Sequence, residues 1–533
     1  MRYARFRLYR NHPPRPTPPA QKGFVMRTTT LIAGLFVGLL AANLATAGGN
    51  GFSIPKGPCG SAEPAKQQRR KAGEGLPPLP LPATPQRRTE RKRQPSPPPL
   101  IAKIQFGQVK KVKRDGKTVS YHDWNKDPGD IPVLLNLAHK QLDVRYTYKR
   151  GPFTTFPADA TRYPIFYYTG SDSFTLPDEE IKHLREFLRN GGTIWADSCF
   201  GDPDFFKSFV REMSRVLPDR HFRKLQPRHP LYNCFYDIEQ VQYTRAVPEA
   251  PEGTGPPVMY GMDLGCRTAI ILSRYDLSCG WDGHIRQGAM GVHPNDARRL
   301  GINMISYSLA THRIGQYQST AKVFYDKSEE ARGDFQFAQA KLGENWDTQT
   351  NAIANLLRTV ATETSAEVKF VHRAVDPGKN DLQSYPFLYM TGHHDFVLSE
   401  SEVAALKRYL HSGGFILGSP CEGSPEFDRA FRREIARVLP GVEMERLPRQ
   451  HPVYNILYNV KSVEYSAYMN NSGELGPPLP LEGVSLGSTT PVVYSPYGIG
   501  GGWRGFDHPF GRDIASEDAL RLGVNIVLYS MTH

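Results

Sequence analysis

Acidic residues are nearly absent from the first 100 positions of this 533-residue chain, which hold 17 lysines and arginines but only three acidic residues. The chain as a whole carries +13, so the remaining 433 residues sum to a net charge of −1. A near-neutral body lacks the broad positive field of a nucleic-acid-binding fold. The charge distribution therefore excludes a nucleic-acid partner for the body of the protein.

The chain also lacks an apolar run long enough to span a bilayer as a helix, which needs about 20 residues. The apolar run at residues 31–42 holds twelve, and a small-x-small pattern follows at residues 45–47. This combination is typical of a secretory signal. We expect residues 1–47 to be a signal peptide cleaved after Ala47, with Met26 as an alternative start and an uncleaved anchor as the alternative reading. The mature protein is then secreted or periplasmic, with no transmembrane span.

Residues 48–100 contain twelve prolines and several clusters of basic residues. Because proline removes backbone donors and like charges repel, we expect a disordered, basic, Pro/Arg-rich linker with polyproline II character. Its positive charge offers contact with an anionic surface, although such blocks are commonly just solvated.

The rest of the chain repeats itself at an offset of 222 residues. Between residues 163–238 and 385–460, 30 of 76 positions are identical without a gap. The matched pairs include Cys199 with Cys421, His229 with His451, and Trp281 with Trp503. A period this long indicates whole domains and not a solenoid. We expect two copies of one domain, copy one at residues 101–312 and copy two at residues 320–533.

Within each copy, apolar strand-like runs alternate with amphipathic helical segments. Residues 165–168 and 387–390 are continuous apolar runs, as expected for parallel strands buried on both faces. Helical segments follow, each stopped by paired glycines, and Ser399 with Glu402 forms a capping box. The alternation predicts right-handed crossovers and an α/β fold with a doubly wound, mainly parallel sheet in each copy.

Several short stretches carry a family resemblance. Residues 163–170, 190–201, 209–213, 228–232 and 275–281, with copy-two stretches that include 495–498 and 518–525, resemble the bacterial domain-of-unknown-function family 4159. The resemblance covers roughly 430 residues, and the combined motifs are specific although each is weak alone. It implies a class I glutamine-amidotransferase-like (flavodoxin-like) fold. It implies fold more firmly than function, because the family carries no established activity.

Ligands of open parallel sheets bind beyond the carboxyl ends of the strands, which predicts a ligand-binding edge in each copy. The predicted ligand-binding residues are Thr169, Gly170, Asp172, Asp197 and Trp281 in copy one, and Thr391, Gly392, Asp395 and Trp503 in copy two. The tryptophans belong to this set because aromatic rings stack on sugars or ring ligands. Burial in the core is the commoner role of such residues.

Two cysteine–histidine pairs define a catalytic hypothesis. A thiolate at Cys421 or Cys199, on a strand-to-helix turn, would use His451 or His229 as its base, 30 residues later. The arrangement resembles the amidotransferase nucleophile elbow, with three departures. The glycine expected two residues before the nucleophile is absent, Asp197 beside the sulfur would raise the pKa of the thiol, and no acidic residue follows either His-Pro. The alternative role for both histidines is a hydrogen bond to a backbone carbonyl.

The chain has six cysteines. Cys266 and Cys279 are both replaced in copy two, by serine and glycine, and this joint loss predicts a disulfide between them in an oxidising compartment. Cys199 with Cys234 is the alternative bridge.

No metal or cofactor is predicted. The run of residues 393–395 in copy two, His-His-Asp, is replaced by Ser-Asp-Ser in copy one. A metal site needs at least three converging ligands, and adjacent strand residues face opposite ways.

The sequence predicts a secreted or periplasmic tandem-domain protein that serves binding or assembly without catalysis, with an unidentified envelope protein or polymer as partner. The first alternative is a Cys-His thiol hydrolase or amidase of the amidotransferase-like class. The second is a carbohydrate-binding envelope protein, which depends on the tryptophans and the basic linker.

Overall fold

The structure, a computed structural model, describes residues 96–114, 117–319 and 335–533. The predicted signal peptide and the predicted linker up to residue 95 lie outside the described residues. The described ranges all belong to one compact unit of the chain. No helix within these ranges combines the length and the apolar character needed to cross a bilayer.

The described residues of copy one build a seven-stranded sheet with helices on both faces. Seven strands form the sheet: β1 (Pro99–Gln105), β4 (Thr147–Pro152), β5 (Ile165–Gly170), β6 (Thr193–Ser198), β7 (Arg223–Lys224), β10 (Met259–Asp263) and β11 (Thr268–Ser273). Four further strands lie outside it: β2 (Val109–Arg114), β3 (Lys117–His122), β8 (Val241–Gln242) and β9 (Thr254–Gly255). The helices are α1 (Asp130–Leu142), α2 (Asp178–Arg189), α3 (Pro203–Val216), α4 (Ser278–Asp282) and α5 (Pro294–Ser319). Strands β2 and β3 form a separate hairpin, and β8 pairs with β9.

Copy two repeats this architecture in its described residues. Its strands are β12 (Phe335–Ala340), β13 (Val368–Val375), β14 (Phe387–Gly392), β15 (Phe415–Pro420), β16 (Glu445–Arg446), β17 (Glu482–Leu486) and β18 (Thr489–Tyr494). Its helices are α6 (Thr350–Glu363), α7 (Glu400–His411), α8 (Pro425–Val438), α9 (Ala467–Ser472), α10 (Ile499–Gly502) and α11 (Ser516–Thr532).

Both sheets are mostly parallel and share one strand order. In copy one the order is β4-β1-β5-β6-β11-β10-β7, and in copy two it is β13-β12-β14-β15-β18-β17-β16. Only the last two strands of each order run antiparallel to their neighbours. The five parallel strands follow the order 2-1-3-4-5 of flavodoxin-like sheets, whose crevice lies between the first and third strands. The predicted α/β class with two mainly parallel sheets is confirmed.

Local sequence explains the central elements. All six residues of β5 and of β14 are buried, because helices cover both faces of the sheet. The predicted capping box of α7 is present: the Glu402 amide donates to Ser399 Oγ, and the Ser399 amide donates to the Glu402 carboxylate. After α2 the chain passes directly beneath the Phe187 ring, where a Cβ on Gly192 would lie 2.3 Å from a ring carbon. Only glycine allows this approach.

One element at each end of copy one extends past the predicted bounds of that copy. Strand β1 begins at Pro99, inside the predicted linker, because proline is tolerated as the first residue of a strand. Helix α5 extends to Ser319, seven residues past the predicted end of copy one. Its last turns pack against copy two, where Ile314 shares an apolar cluster with Cys266 and Cys421.

The amino edge of the first sheet packs on the carboxyl edge of the second. Strand β11 is parallel to β6, so the turn at residues 264–267 that precedes β11 lies at the amino edge of the first sheet. This turn packs on the carboxyl edge of the second sheet: Asn345 Nδ2 donates to Gly265 O over 3.0 Å, and His508 Nε2 lies 2.9 Å from Cys266 O. The contact is heterologous, because it joins different surfaces of two similar domains.

Candidate functional site

The two equivalent cysteines follow the carboxyl ends of β6 and β15. Cys199 and Cys421 each begin a short 3-10 turn. The next residues, Phe200 and Glu422, have left-handed backbones with φ of 64° and 56°. A non-glycine residue pays about 1–2 kcal/mol for this conformation. The strained position is therefore the residue after the cysteine, whereas in a nucleophile elbow the nucleophile itself occupies the strained turn.

A buried carboxylate lies near each cysteine turn, but it comes from different positions in the two copies. In copy one, Asp276 accepts hydrogen bonds from the amides of Phe200 (2.6 Å) and Cys279 (2.9 Å). The equivalent residue in copy two is Gly498, and a Cβ there would lie 1.9 Å from Asp513 Oδ1. Asp513 pairs with Gly498 across a parallel bridge, as Gly291 pairs with Asp276 in copy one. The carboxylate has thus moved to the opposite member of the bridged pair.

The crevice between β1 and β5 in copy one contains a buried network of charges. The Asp123 carboxylate accepts from the amides of Ser171 and Asp172, each at 3.1 Å, and pairs with Lys126 at 2.5 Å. Lys126 also bonds the Ser171 hydroxyl, and Lys110 of the β2–β3 hairpin pairs with Asp172. The hairpin is therefore tied to the carboxyl edge of copy one.

Asp197, at the end of β6, holds the loop after β11 in place. Its carboxylate accepts from the amides of Leu277 (2.7 Å) and Ser278 (3.2 Å), and Thr169 Oγ1 lies 3.4 Å away. Burial, reinforced by the nearby charge of Asp276, raises the pKa of Asp197 to about 8. Among the predicted ligand-binding residues of copy one, Thr169, Gly170, Asp172 and Asp197 lie at this carboxyl edge.

The corresponding edge of copy two is filled by copy one. Cys266 Sγ lies 3.0 Å from Cys421 Sγ, and both side chains are buried. Gln349 Nε2 donates to both sulfurs, at 2.9 Å and 3.4 Å, and Arg504 Nη1 lies 3.5 Å from Cys266 Sγ. Thr391 and Gly392 are buried at the end of β14 on this same edge.

An ion pair joins the copies beside this cluster. His394 Nε2 of copy two lies 3.1 Å from Asp263 of copy one, and its Nδ1 lies 3.7 Å from Glu426. Burial alone would lower the pKa of His394, but the hydrogen bonds to the two carboxylates outweigh it and raise the pKa to about 9. Burial alone would raise the pKa of Asp263, but His394 and the neighbouring His393 lower it. At neutral pH both partners are charged.

A small cavity remains between the copies. Its volume is about 30 Å³, enough for a water molecule and too small for a substrate. Its walls include His229, Arg267 and Tyr307 of copy one, and His393, Glu422 and His508 of copy two. Burial lowers the pKa of His229 to about 4, so this imidazole is neutral at pH 7.

The predicted cysteine–histidine pairs are not assembled within either copy. His229 Nε2 lies 3.0 Å from Thr268 Oγ1, at the amino end of β11, whereas Cys199 follows the carboxyl end of β6. In copy two, His451 Nε2 lies 3.1 Å from Thr490 Oγ1 in the same way. The two groups of each pair are therefore separated by about the length of a six-residue strand, roughly 20 Å.

Both imidazoles instead support the turns that follow them. His229 Nδ1 accepts from the Leu231 amide, and His451 Nδ1 accepts from the Val453 amide. The predicted alternative role is thus half right: each histidine bonds the backbone, but it accepts from an amide where a bond to a carbonyl was expected.

The predicted cysteine pairings are also corrected. No disulfide joins any two of the described cysteines, and Cys266 lies against Cys421 and not against Cys279. Cys279 instead shares a buried cluster with Cys199. Cys234 donates its S–H to Asn303 O, 3.3 Å away on α5, so the alternative bridge to Cys199 is not formed. Cys266 and Cys279, which copy two lacks, therefore lie in different parts of the structure, and their joint replacement did not indicate a bond between them.

Among the described residues, two groups each bring three metal-type ligand atoms within 4.8 Å of one another: Cys199, Asp276 and Cys279, and Cys266, Cys421 and Glu422. In the first group, both Asp276 oxygens already accept hydrogen bonds from backbone amides. In the second group, the guanidinium of Arg504 beside Cys266 opposes a bound dication.

The predicted ligand-stacking role of Trp281 and Trp503 is wrong. Both indoles have no exposed surface, and their Nε1 atoms donate to Ala297 O and Ala519 O over 2.9 Å and 3.0 Å. They anchor α5 and α11 to the core, as buried aromatics commonly do.

Asp395 is also placed away from the predicted site. Its side chain is 58% exposed and pairs with Arg433 on α8 at 2.9 Å. The residue of copy two that corresponds to Asp172 is His394, so the carboxylate pattern of copy one does not extend to Asp395.

Sequence reasoning missed most of the residues that fill the copy-two edge. Gln349, Arg504 and His508 replace Asp127, Asp282 and Arg286 of copy one. Each change puts a different charged or polar side chain at the equivalent position, 222 residues later. Such differences between otherwise similar copies were the available signal that the two edges have different neighbours.

The fold and the site define a tandem α/β protein with two flavodoxin-ordered sheets, whose two carboxyl edges have diverged. The model of the domain of unknown function DUF4159 matches residues 106–309 and 336–531, and the chain belongs to this family as a tandem member. A comparison with curated proteins found no match.

Proposed function

We propose that the protein is a non-catalytic binding or assembly protein that works outside the cytoplasm, built from two amidotransferase-like domains. In this proposal, copy two is a platform for copy one, and copy one presents the binding edge. The observation that carries the proposal is the insertion of the 264–267 turn into the carboxyl edge of copy two. An edge filled by the protein's own chain cannot receive a substrate.

The state of the thiols supports a non-catalytic role. Burial, together with the neighbouring Cys266, raises the pKa of Cys421 well above its ordinary value. Because the thiolate is the nucleophilic form, a buried neutral thiol is unreactive at neutral pH. Cys199 is equally buried, with 1% of its surface exposed.

A basic surface beside the copy-one edge supports an anionic partner such as an envelope polymer or protein. The exposed lysines of the β2–β3 hairpin are Lys111, Lys113 and Lys117. Lys110 on the same hairpin is tied down by Asp172, so the hairpin presents its charge from a fixed position. Clustered lysines attract polyanions over a range set by the ionic strength.

Alkylation tests the non-catalytic assignment. The full chain and a Cys266→Ser variant, whose Cys421 has no cysteine partner, are treated with iodoacetamide between pH 6 and 8, folded and in denaturant. Mass spectrometry of the tryptic peptide of residues 409–429 then reports on Cys421. We expect modification only after denaturation, and in the full chain, where Cys266 lies beside Cys421, only when a reductant is also present. Rapid modification of folded Cys266→Ser below pH 8 would support the thiol hydrolase instead.

Retention on immobilised heparin, a model polyanion, tests the partner class. Reversing Lys111, Lys113 and Lys117 to glutamate should lower the salt concentration of elution. The matched control reverses three exposed lysines of copy two, Lys379, Lys407 and Lys461, with the same change in net charge. Equal shifts for both triple variants would remove the hairpin from the proposal.

A further inference from the structure

We propose that Cys266 and Cys421 form a disulfide that links copy one to copy two. Their sulfurs are 3.0 Å apart, and one side chain comes from each copy. Both residues are held by structured elements: Cys266 lies in the tight turn between β10 and β11, and Cys421 directly follows β15. The packed structure therefore accommodates the bond with only a small side-chain movement.

Polar side chains of copy two hold the two sulfurs at this position. Gln349 Nε2 donates to both sulfur atoms, and the Arg504 guanidinium lies 3.5 Å from Cys266 Sγ. This cation disfavours a bound dication at this position.

A comparison of the copies gives a second, independent reason. In copy one, Cys199 has Cys279 beside it. In copy two the residue equivalent to Cys279 is Gly501, and the second sulfur comes from copy one instead. Cys266 in turn has a serine as its counterpart, Ser488, on the amino edge of copy two. A cysteine is thus present at this turn only in the copy whose turn meets another cysteine.

The reaction is an exchange with an external disulfide, supplied by a thiol–disulfide oxidant. One thiol loses its proton and attacks the oxidant to give a mixed disulfide, releasing one thiol of the oxidant. The second thiolate then displaces the other. Cys266 and Cys421 are oxidised by two electrons, and the oxidant takes up these electrons and the two thiol protons to become two thiols. Because both side chains are at most 1% exposed, the exchange must precede the final packing of the copies.

The cross-link joins positions 155 residues apart. Closing so long a loop restricts the unfolded chain more than a local bridge does. Once packed, the bond is also shielded from reductants, so it would survive reducing conditions that leave the protein folded.

Peptide mapping of the full chain tests the proposal. Protein refolded with oxidised glutathione is denatured in excess alkylating agent and digested with trypsin without reductant. Trypsin releases residues 246–267 and 409–429 as peptides with one cysteine each. We expect the two peptides to be found as one linked species that disappears on reduction. The linked species should persist in Cys234→Ser and be lost in Cys266→Ser.

Three outcomes would overturn the proposal: both peptides recovered as alkylated free thiols, Cys266 linked to a different cysteine, or stoichiometric zinc retained by the refolded wild-type protein. The wild-type measurement stands alone if a variant fails to fold. A second readout is the thermal unfolding midpoint of oxidised protein, which should fall in Cys421→Ser but change little in Cys234→Ser.

Discussion

Single residues carry the divergence between the two copies. The buried carboxylate near each cysteine turn is supplied by Asp276 in copy one and by Asp513 in copy two, while Gly291 and Gly498 leave the space. Burial raises the pKa of Asp513 to about 7, and Arg504 lies 3.6 Å away as its counter-charge. A carboxylate can thus change its position along the chain while keeping its place in the fold.

This exchange predicts strong coupling between positions 498 and 513. Gly498→Asp alone should destabilise the protein by more than about 3 kcal/mol, because it forces two buried carboxylates into one space. The Gly498→Asp/Asp513→Gly double variant should recover most of that loss. Chemical unfolding of the two single variants and the double variant gives the coupling energy. A double variant no more stable than Gly498→Asp would show that the two carboxylate positions are not interchangeable.

Among the elements, the helices follow local chemistry closely. Helix α7 begins with a reciprocal cap between Ser399 and Glu402, whereas its equivalent α2 begins after Pro177 with no side-chain cap. Such a cap satisfies amides that the first turn leaves unpaired.

Ser399→Ala should therefore reduce the free energy of unfolding by about 1 kcal/mol. Ser412→Ala is the matched control at the other end of α7, where the backbone makes the cap contacts. Urea unfolding monitored by circular dichroism compares the two. If both variants lose equal stability, the side-chain cap contributes nothing beyond helix propensity.

At the level of the whole molecule, charges hold the two copies together. The described interface includes the ion pairs of Asp263 with His394 and of Arg220 with Asp347 at 2.6 Å, and His221 Nδ1 lies 2.6 Å from the Glu344 carboxylate. Of these, the His394 pair is the most shielded from solvent, with side-chain exposures of 11% and 17%.

Stability from this pair should depend on pH in a defined direction. The pKa of His394 is raised to about 9 in the folded protein. The ion pair therefore contributes fully to the free energy of unfolding below the ordinary histidine pKa of about 6.5, and this contribution is lost as the pH rises through 9. The stability difference between wild type and His394→Gln should shrink between pH 6 and pH 10, by up to about 3 kcal/mol. The pKa of Asp263 is lowered, so protonation of this carboxylate weakens the ion pair only when the pH falls below about 4.

Urea titrations at several pH values measure this difference. His411→Gln, a change at an exposed histidine of α7, is the control for the loss of a histidine in itself. A constant difference between wild type and His394→Gln across the range would mean that the pair is not charged in the folded protein.

Much of the fold could be predicted because it depends on local periodicity and on repetition. The 222-residue offset, the buried runs of β5 and β14, and the cap of α7 are all properties of neighbouring residues, and each agrees with the structure. The His-Pro motifs were harder to interpret. Their spacing from the cysteines was visible, but the sequence does not show that a strand's length separates the two groups.

The amino-acid pattern alone established a doubled α/β body, since strand and helix periods are written into adjacent side chains. Tertiary structure alone decided which edge of one copy meets which edge of the other. That choice places Cys266 beside Cys421 and Asp263 beside His394. Contacts over such separations depend on the shape and charge of assembled surfaces, and no repeat length or motif spacing encodes them.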